Sequence, residues 1–268
     1  MKTFIIAWLF CMPAAISSQI HSFSSYVPRS ESMGGCRSAL TGAVGMWGNP
    51  AGLAGLAARE IHLTARQGYA LAGLETVQTG FLWSEANRGL GLSASHFGTA
   101  GYREQELALS GAIQLSPSVA IGLRGGYVGQ GVDEAGVSGS VSSRIGIQVR
   151  LDEHWLVSSV ISQPWGGQLA GGWDAGVAFS PSATTLWTSE ITAEWGFAPT
   201  FRTGFEYHLS HTCLIRAGIQ LSPSVFAFGL GVLVGKSCTL TCSASYDLLL
   251  GMTPGIGLHW QIEGQAEQ

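Results

Sequence analysis

The chain is poor in charge. Asp, Glu, Lys and Arg together make up 11% of its 268 residues, where an ordinary soluble domain carries about a quarter. Lysine is almost missing: after Lys2 comes only Lys236, and the remaining cations are arginines. The formal net charge is −4, and no cluster of basic residues forms a nucleic-acid footprint, so no nucleic-acid partner is expected. Beyond the first residues the chain also lacks a run of about 18 apolar residues, the length of a membrane-crossing helix. The richest stretch, Ala39 to Ala58, is broken by Thr41, Gly42, Gly45, Gly48, Asn49 and Pro50. The cysteines, Cys11, Cys36, Cys213, Cys238 and Cys242, match no metal or redox spacing. They read as small apolar residues on strands, with a disulfide open to an exported protein. No nucleophile or cofactor motif stands out, so no catalytic residue, metal site or cofactor is assigned.

What is present is apolar. Hydrophobic residues reach 46%, the mean hydropathy is +0.26, and there are 38 glycines. Such a chain, without a spanning helix, needs somewhere to put its apolar surface. A closed β-barrel in lipid offers that place, because every backbone group is paired and the outer face can be greasy. The first residues agree with export. A basic tip, Met1-Lys2-Thr3, precedes an apolar run from Phe4 to Ile16, and Ala15 and Ser17 suit a cut after Ser17. Residues 1–17 are therefore expected to be a signal peptide; a short membrane anchor is the alternative. Without Lys2 the charge becomes −5.

The main signal is alternation with period two, the mark of a strand with two different faces. Phe201, Thr203, Phe205, Tyr207 and Leu209 share one face, and Arg202, Gly204, Glu206 and His208 the other. Ile61, Leu63 and Ala65 alternate with Glu60, His62, Thr64 and Arg66; Leu107 and Leu109 with Glu106 and Ser110; Ile121 and Leu123 with Arg124. Ile145 and Ile147 alternate with Arg144 and Arg150, Ile215 and Ile219 with Arg216, and Leu258 and Trp260 with His259. A soluble sandwich shows the same alternation. Segments of about 9–11 residues, and Trp83, Trp155, Trp173, Trp187, Trp195 and Trp260 near strand ends, favour the membrane. Fourteen strands are expected, starting near 59, 76, 88, 103, 119, 137, 153, 172, 184, 199, 213, 225, 237 and 254. Connections after even-numbered strands are very short; those after strands 1, 5, 7 and 13 are longer. Short turns belong on the periplasmic side, where the N-terminus would lie. The string Ile-Gln-Leu-Ser-Pro-Ser-Val occurs at 113–119 and again at 219–225. Fourteen strands put its two copies at opposite ends, so either a strand is miscounted or the turn has no sidedness.

The barrel is expected over 59–262, with a tail at 263–268. The segment before it, 18–58, lacks clean alternation. Asn49-Pro50 can start a short helix over Ala51 to Ala58, with Asn49 as cap and Pro50 in the first position. Here the motif Met33-Gly34-Gly35, followed by Trp47-Gly48-Asn49-Pro50-Ala51-Gly52-Leu53 and a barrel, resembles the FadL-like outer-membrane proteins. That group includes long-chain fatty acid channels and the PorV/PorQ-like proteins of type IX secretion. The resemblance implies a short N-terminal hatch lodged in an antiparallel transmembrane barrel, commonly of 14 strands, in the outer membrane of a Gram-negative-type bacterium. It also implies membrane lipid around the wall, and a hydrophobic small molecule or a secretion-system or surface protein as partner. The chain is shorter than typical fatty acid channels, and Cys36-Arg37 and Thr41-Gly42 interrupt the alanine-rich motif.

Alternation turns Glu60, Arg66, Glu106, Arg124, Arg144, Arg150, Asp152, Asp174, Glu190, Glu194, Arg202, Glu206 and Arg216 inward, six arginines against seven carboxylates. An ion-selective pore carries an excess of one sign; a balanced set reads as a lumen braced by ion pairs around a plug. A neutral, apolar hatch could instead line a path for an apolar solute. His62, His208 and His259 also point inward. If the first and last strands close the barrel, His62 and His259 come near each other, and with Glu60 could hold a metal or act as a base. Polar lumen histidines without chemistry are the plainer reading. Gly89-Leu90-Gly91 lies within a strand and is no phosphate loop; strand glycines are expected to serve curvature. Three functions stay open: a passive channel, a docking barrel for secretion partners, and a barrel enzyme.

Overall fold

A computed structural model describes residues 27–262 except residue 100 and residues 133–135 and 167–168. The expected signal peptide (1–17), the start of the hatch (18–26) and the tail (263–268) lie outside the described residues. The chain opens with a one-turn helix, α1 (Pro28–Glu31), and two 3-10 turns, Ala43–Met46 and Pro50–Leu53. Fourteen strands follow: β1 (Ala58–Gln67), β2 (Glu75–Glu85), β3 (Arg88–Gly98), β4 (Tyr102–Ser116), β5 (Val119–Val132), β6 (Gly136–Arg150) and β7 (Trp155–Ser162). The second half adds β8 (Gly172–Ser182), β9 (Thr185–Glu194), β10 (Thr200–His208), β11 (Cys213–Leu221), β12 (Val225–Val234), β13 (Cys238–Asp247) and β14 (Gly251–Gln261). Each pairs antiparallel with the next, and β14 returns to pair with β1, closing the barrel. Every strand begins within three residues of its expected start.

Burial separates the barrel from the sandwich. In a sandwich the apolar face would be covered, but here it is the bare one. Leu107, Leu109, Leu123, Tyr127 and Val141 are 55–71% exposed, while Glu106, Ser110, Arg124 and Ser142 on the alternate positions are buried. The outer wall is a band of aliphatic and aromatic side chains suited to lipid. Trp155, Trp187 and Trp260 stand at the barrel end where β1 begins and β14 finishes, here the near end; Trp173 and Trp195 stand at the far end. Strands of about 10 residues, rising ~3.3 Å each and tilted ~40°, span about 25 Å, the height of such a band.

The near-end turns have two to four residues. At the far end the longest connections follow β1 (68–74) and β7 (163–171), as expected. Long connections after β5 and β13 are not found: each has three residues, because the ladder continues to Val132↔Gly136 and Asp247↔Gly251. Gly136 (φ 92°) and Gly251 (φ 96°) adopt the left-handed backbone that lets these hairpins reverse at once. The repeated string is also settled. Its first copy turns from β4 to β5 at the near end, its second from β11 to β12 at the far end, with a cis Ser222–Pro223 bond. No strand is miscounted; the turn has no sidedness.

Candidate functional site

The lumen is filled by the chain's own residues 27–57. Met33, Leu40, Met46, Trp47 and Leu53 are at most 1% exposed and pack with Leu82 of β2, with Ala112 and Leu186 beside them. Each such side chain contributes roughly 1.5–3 kcal/mol by leaving water. The expected helix over Ala51 to Ala58 is shorter than its pattern. The cap forms, Asn49 Oδ1 accepting from Ala51 N at 3.0 Å, but the 3-10 turn ends at Leu53, and Ala58 already belongs to β1.

The hatch circles the inner wall, meeting strands in descending order except at Met46 and Trp47, which reach across to Gly80 of β2 and, for Met46, Gly91 of β3. Pro28 lies against Gly257 of β14, Ser32 against Gly229 of β12, Met33 and Gly34 against Gly218 of β11, and Met33 also against Gly204 of β10. It goes on to Ser38 at Gly176 of β8, Asn49 at Gly146 of β6, Pro50-Ala51 at Gly122 of β5, and Leu53 at Gly89 of β3. A Cβ at Gly146 would sit 1.9 Å from Asn49 Oδ1, and one at Gly89 2.1 Å from Leu53 O. These strand glycines are sockets for the hatch, which the curvature reading missed: any side chain there would occupy the hatch's place. Gly89 and Gly91, the string that looked like a phosphate loop, are two of them.

Wall side chains then fasten hatch backbone. Asn49 Nδ2 donates to Ser38 O (2.9 Å) and to Ile147 O of β6 (3.0 Å). Gln148 donates to Ser38 O and Leu40 O, Arg124 Nε to Met46 O, and Arg144 to Trp47 O. Glu190 accepts from the Arg37 and Ser38 N–H groups at 2.9 and 2.6 Å. Glu206 lies between Arg29 of the hatch (2.9 Å) and Arg216 of β11 (2.6 Å). Arg37 reaches Asp174 (3.4 Å), Arg66 reaches Glu31 (3.7 Å), Arg202 reaches Glu190 (3.4 Å), and Arg124 pairs with Glu106 (2.8 Å). The inward charges are thus largely matched to partners, several of them on the hatch. Burial works against the Arg29 and Arg37 charges, yet Glu206 and Asp174 respectively hold both guanidiniums above their ordinary pKa. Burial likewise pushes the Cys36 thiol well up, with the Glu190 carboxylate adding to it.

The expected site residues are placed as follows. Met33, Gly34, Asn49, Pro50 and Ala51 are buried and Gly35 nearly so, its α-carbon side facing Arg202. Glu60, His62 and His259 converge on one point. Arg150 and His208 open onto the near-end vestibule, a cavity of about 290 Å³ that also borders Arg29 and Thr41. Glu194 borders the far-end vestibule, about 750 Å³, with Arg37, Arg66, Arg144, Arg202, Tyr69 and Phe197. Asp152 is not a wall residue, because β6 ends at Arg150. It caps the next turn, accepting from the His154 and Trp155 N–H groups, which lower its carboxyl pKa. The hatch is not neutral either: Arg29, Glu31 and Arg37 supply its ion pairs. These three were visible as the charges of the segment before β1, but nothing local tells which wall residue each meets. The four described cysteines are unpaired with one another.

A closed 14-stranded barrel with a clamped hatch in its lumen defines the class. The same fold occurs in solved structures. The toluene transporter TbuX of Ralstonia pickettii superposes with a TM-score of 0.66 at 11% identity, over 90% of this chain and 98% of that one. The toluene transporter TodX of Pseudomonas putida gives 0.65 at 10%, over 91% and 98%. The outer membrane protein Omp33 of Acinetobacter baumannii gives 0.57 at 6%, over 76% and 98%. No family model and no curated protein matches the sequence. At these identities the likeness is one of fold, and it is the architecture expected from the hatch motif.

Proposed function

We propose that this protein is a FadL-like outer-membrane barrel that passively admits small hydrophobic molecules, and is not an enzyme. The observation that carries the reading is the fold this chain shares with two toluene transporters, joined in this chain to a wall-clamped hatch with a vestibule of about 750 Å³ above it. That volume holds a small hydrocarbon, and Tyr69 and Phe197 give it apolar wall. On the outside, Leu90, Ile113, Ile121, Leu123, Ile145 and Ile147 line a broad apolar groove. Behind it lies the Pro50–Leu53 turn, with the backbone of Gly89, Gly122 and Gly146 between. The far-end connections, none longer than the nine residues after β7, leave room for direct entry there. The test is uptake of a monoaromatic hydrocarbon into vesicles whose outer leaflet is lipopolysaccharide. Uptake several-fold above protein-free vesicles is expected; equal rates sink the reading.

A second reading, a docking barrel with a plugged lumen of the type IX secretion kind, is favoured by the density of polar clamps on the hatch. It predicts that affinity capture from native outer membranes recovers a secretion component or surface protein. Capture that returns the barrel alone removes this alternative.

A further inference from the structure

We propose that Glu60, His62 and His259 form a divalent metal site of zinc type that clasps the seam where the first strand meets the last. His62 and His259 are direct partners in the β1–β14 register. Ile61, Leu63, Leu258 and Trp260 on either side of them face outward, so both imidazoles face the lumen. Paired residues place their Cβ atoms about 5 Å apart, and the two rings stack with centroids 4.3 Å apart and 13° between planes. Glu60 stands two residues before His62 on the same face. Its Oε2 lies 3.1 Å from His62 Nε2 and 3.2 Å from His259 Nε2.

Three features mark these as metal ligands and not a plain hydrogen-bonded trio. The donor atoms all lie within 4.8 Å of one another. For tetrahedral bonds of about 2.05 Å the edge between donors is about 3.3 Å, close to both nitrogen–oxygen separations. Second, His259 Nε2 is buried and lies 3.2 Å from Glu60 Oε2 without the alignment of a well-formed hydrogen bond, while His62 Nε2 is hydrogen-bonded to the same oxygen at 3.1 Å. A buried ring nitrogen so poorly paired is costly, and a cation at the focus of the three groups would satisfy it. Third, the Glu60 carboxylate, 13% exposed, has two imidazoles for company, and Arg29, the nearby cation of the hatch, is committed to Glu206. A divalent ion would balance that buried charge. Two imidazoles and one carboxylate suit zinc and its first-row neighbours, water completing the shell. Trp47 of the hatch packs edge-on against His62 at 6.4 Å, so the hatch walls one side of the site. The ion would join residues at opposite ends of the chain across the one strand pair that closes the barrel, and so resist its opening.

The experiment uses the full barrel folded in detergent micelles, stripped with chelator and titrated with Zn²⁺ alone in a calorimeter, then with Co²⁺ read by visible absorption. One ion per barrel is expected, with the absorption of tetrahedral cobalt. H62A, H259A and E60Q should each weaken binding at least about tenfold, while H211A, in the exposed β10–β11 turn, should not. Zinc should also raise the temperature at which the barrel loses its compact gel mobility, in the parent and H211A but not in E60Q. E60Q and H259Q preserve size and polarity, and a retained boiling-dependent shift shows that they fold. Absence of a saturable site in the parent, or a site unchanged in folded E60Q and H259Q, overturns the proposal.

Discussion

The tightest contact between hatch and wall gives a quantitative test. Replacing Gly146 with Ala puts a methyl carbon 1.9 Å from Asn49 Oδ1 and 2.9 Å from its Cγ. Asn49 must leave, and its three hydrogen bonds, to Ser38 O, Ile147 O and Ala51 N, go with it. At about 1 kcal/mol each, with about 1–3 kcal/mol for overpacking, G146A should cost about 4–6 kcal/mol. N49A alone removes the same bonds and should cost about 3 kcal/mol. In the double variant the new methyl meets Pro50 Cδ at 3.1 Å in place of the amide, which a small shift accommodates. G146A should therefore cost less than about 1 kcal/mol on the N49A background, a coupling of about 3 kcal/mol or more. Gly125, where a Cβ would meet nothing, is the control: G125A should be neutral. Reversible urea unfolding from vesicles reads all five proteins. If G146A and N49A costs simply add, the hatch is not seated at Gly146 and the circular path drawn above is wrong.

Two further outcomes follow from the clamps. Glu206→Ala leaves Arg29 and Arg216 without their carboxylate. Loss of one buried partner costs about 3–5 kcal/mol, here toward the lower figure because Arg29 is 29% exposed. Trypsin should then cut the hatch at Arg29 or Arg37 in the folded barrel, while the parent resists; equal resistance refutes the clamp. In a variant with Cys213, Cys238 and Cys242 changed to Ser, the fully buried Cys36 should react with maleimide at least about 100-fold more slowly than a free thiol at pH 8. Burial raises its pKa, and the thiolate that attacks becomes scarce. Denaturation should restore the free rate, and fast labelling of the native barrel would mean that the hatch opens.

Much of the fold was legible because a strand declares itself locally. The residues around Ile61, Leu109, Ile145 and Phe205 alternate so regularly that the strand starts and the two faces could be read without knowing any partner. The Asn49-Pro50 cap was readable for the same reason: it concerns a side chain and an N–H two residues away. Connections after β5 and β13 were misjudged because the ladder's extent depends on the neighbouring strand, and Asp152 was placed on the wall although β6 stops at Arg150. The candidate site was half legible: parity sent Glu60, His62 and His259 inward, but their meeting needed β14 to close on β1.

The sequence by itself determined the strands, their inner and outer faces and the near balance of lumen charge, since each can be read from residues close in the chain; the hatch was an implication of its motif's resemblance. The tertiary structure alone decided which hatch residue meets which strand. A glycine such as Gly146 carries no side chain to announce its contact, and its role exists only through Asn49, brought there by closure of the barrel. The ion pairs of Arg29, Glu31 and Arg37 were decided the same way. Charge acts across space, and until the barrel closed nothing fixed which wall carboxylate or guanidinium would stand opposite each of them.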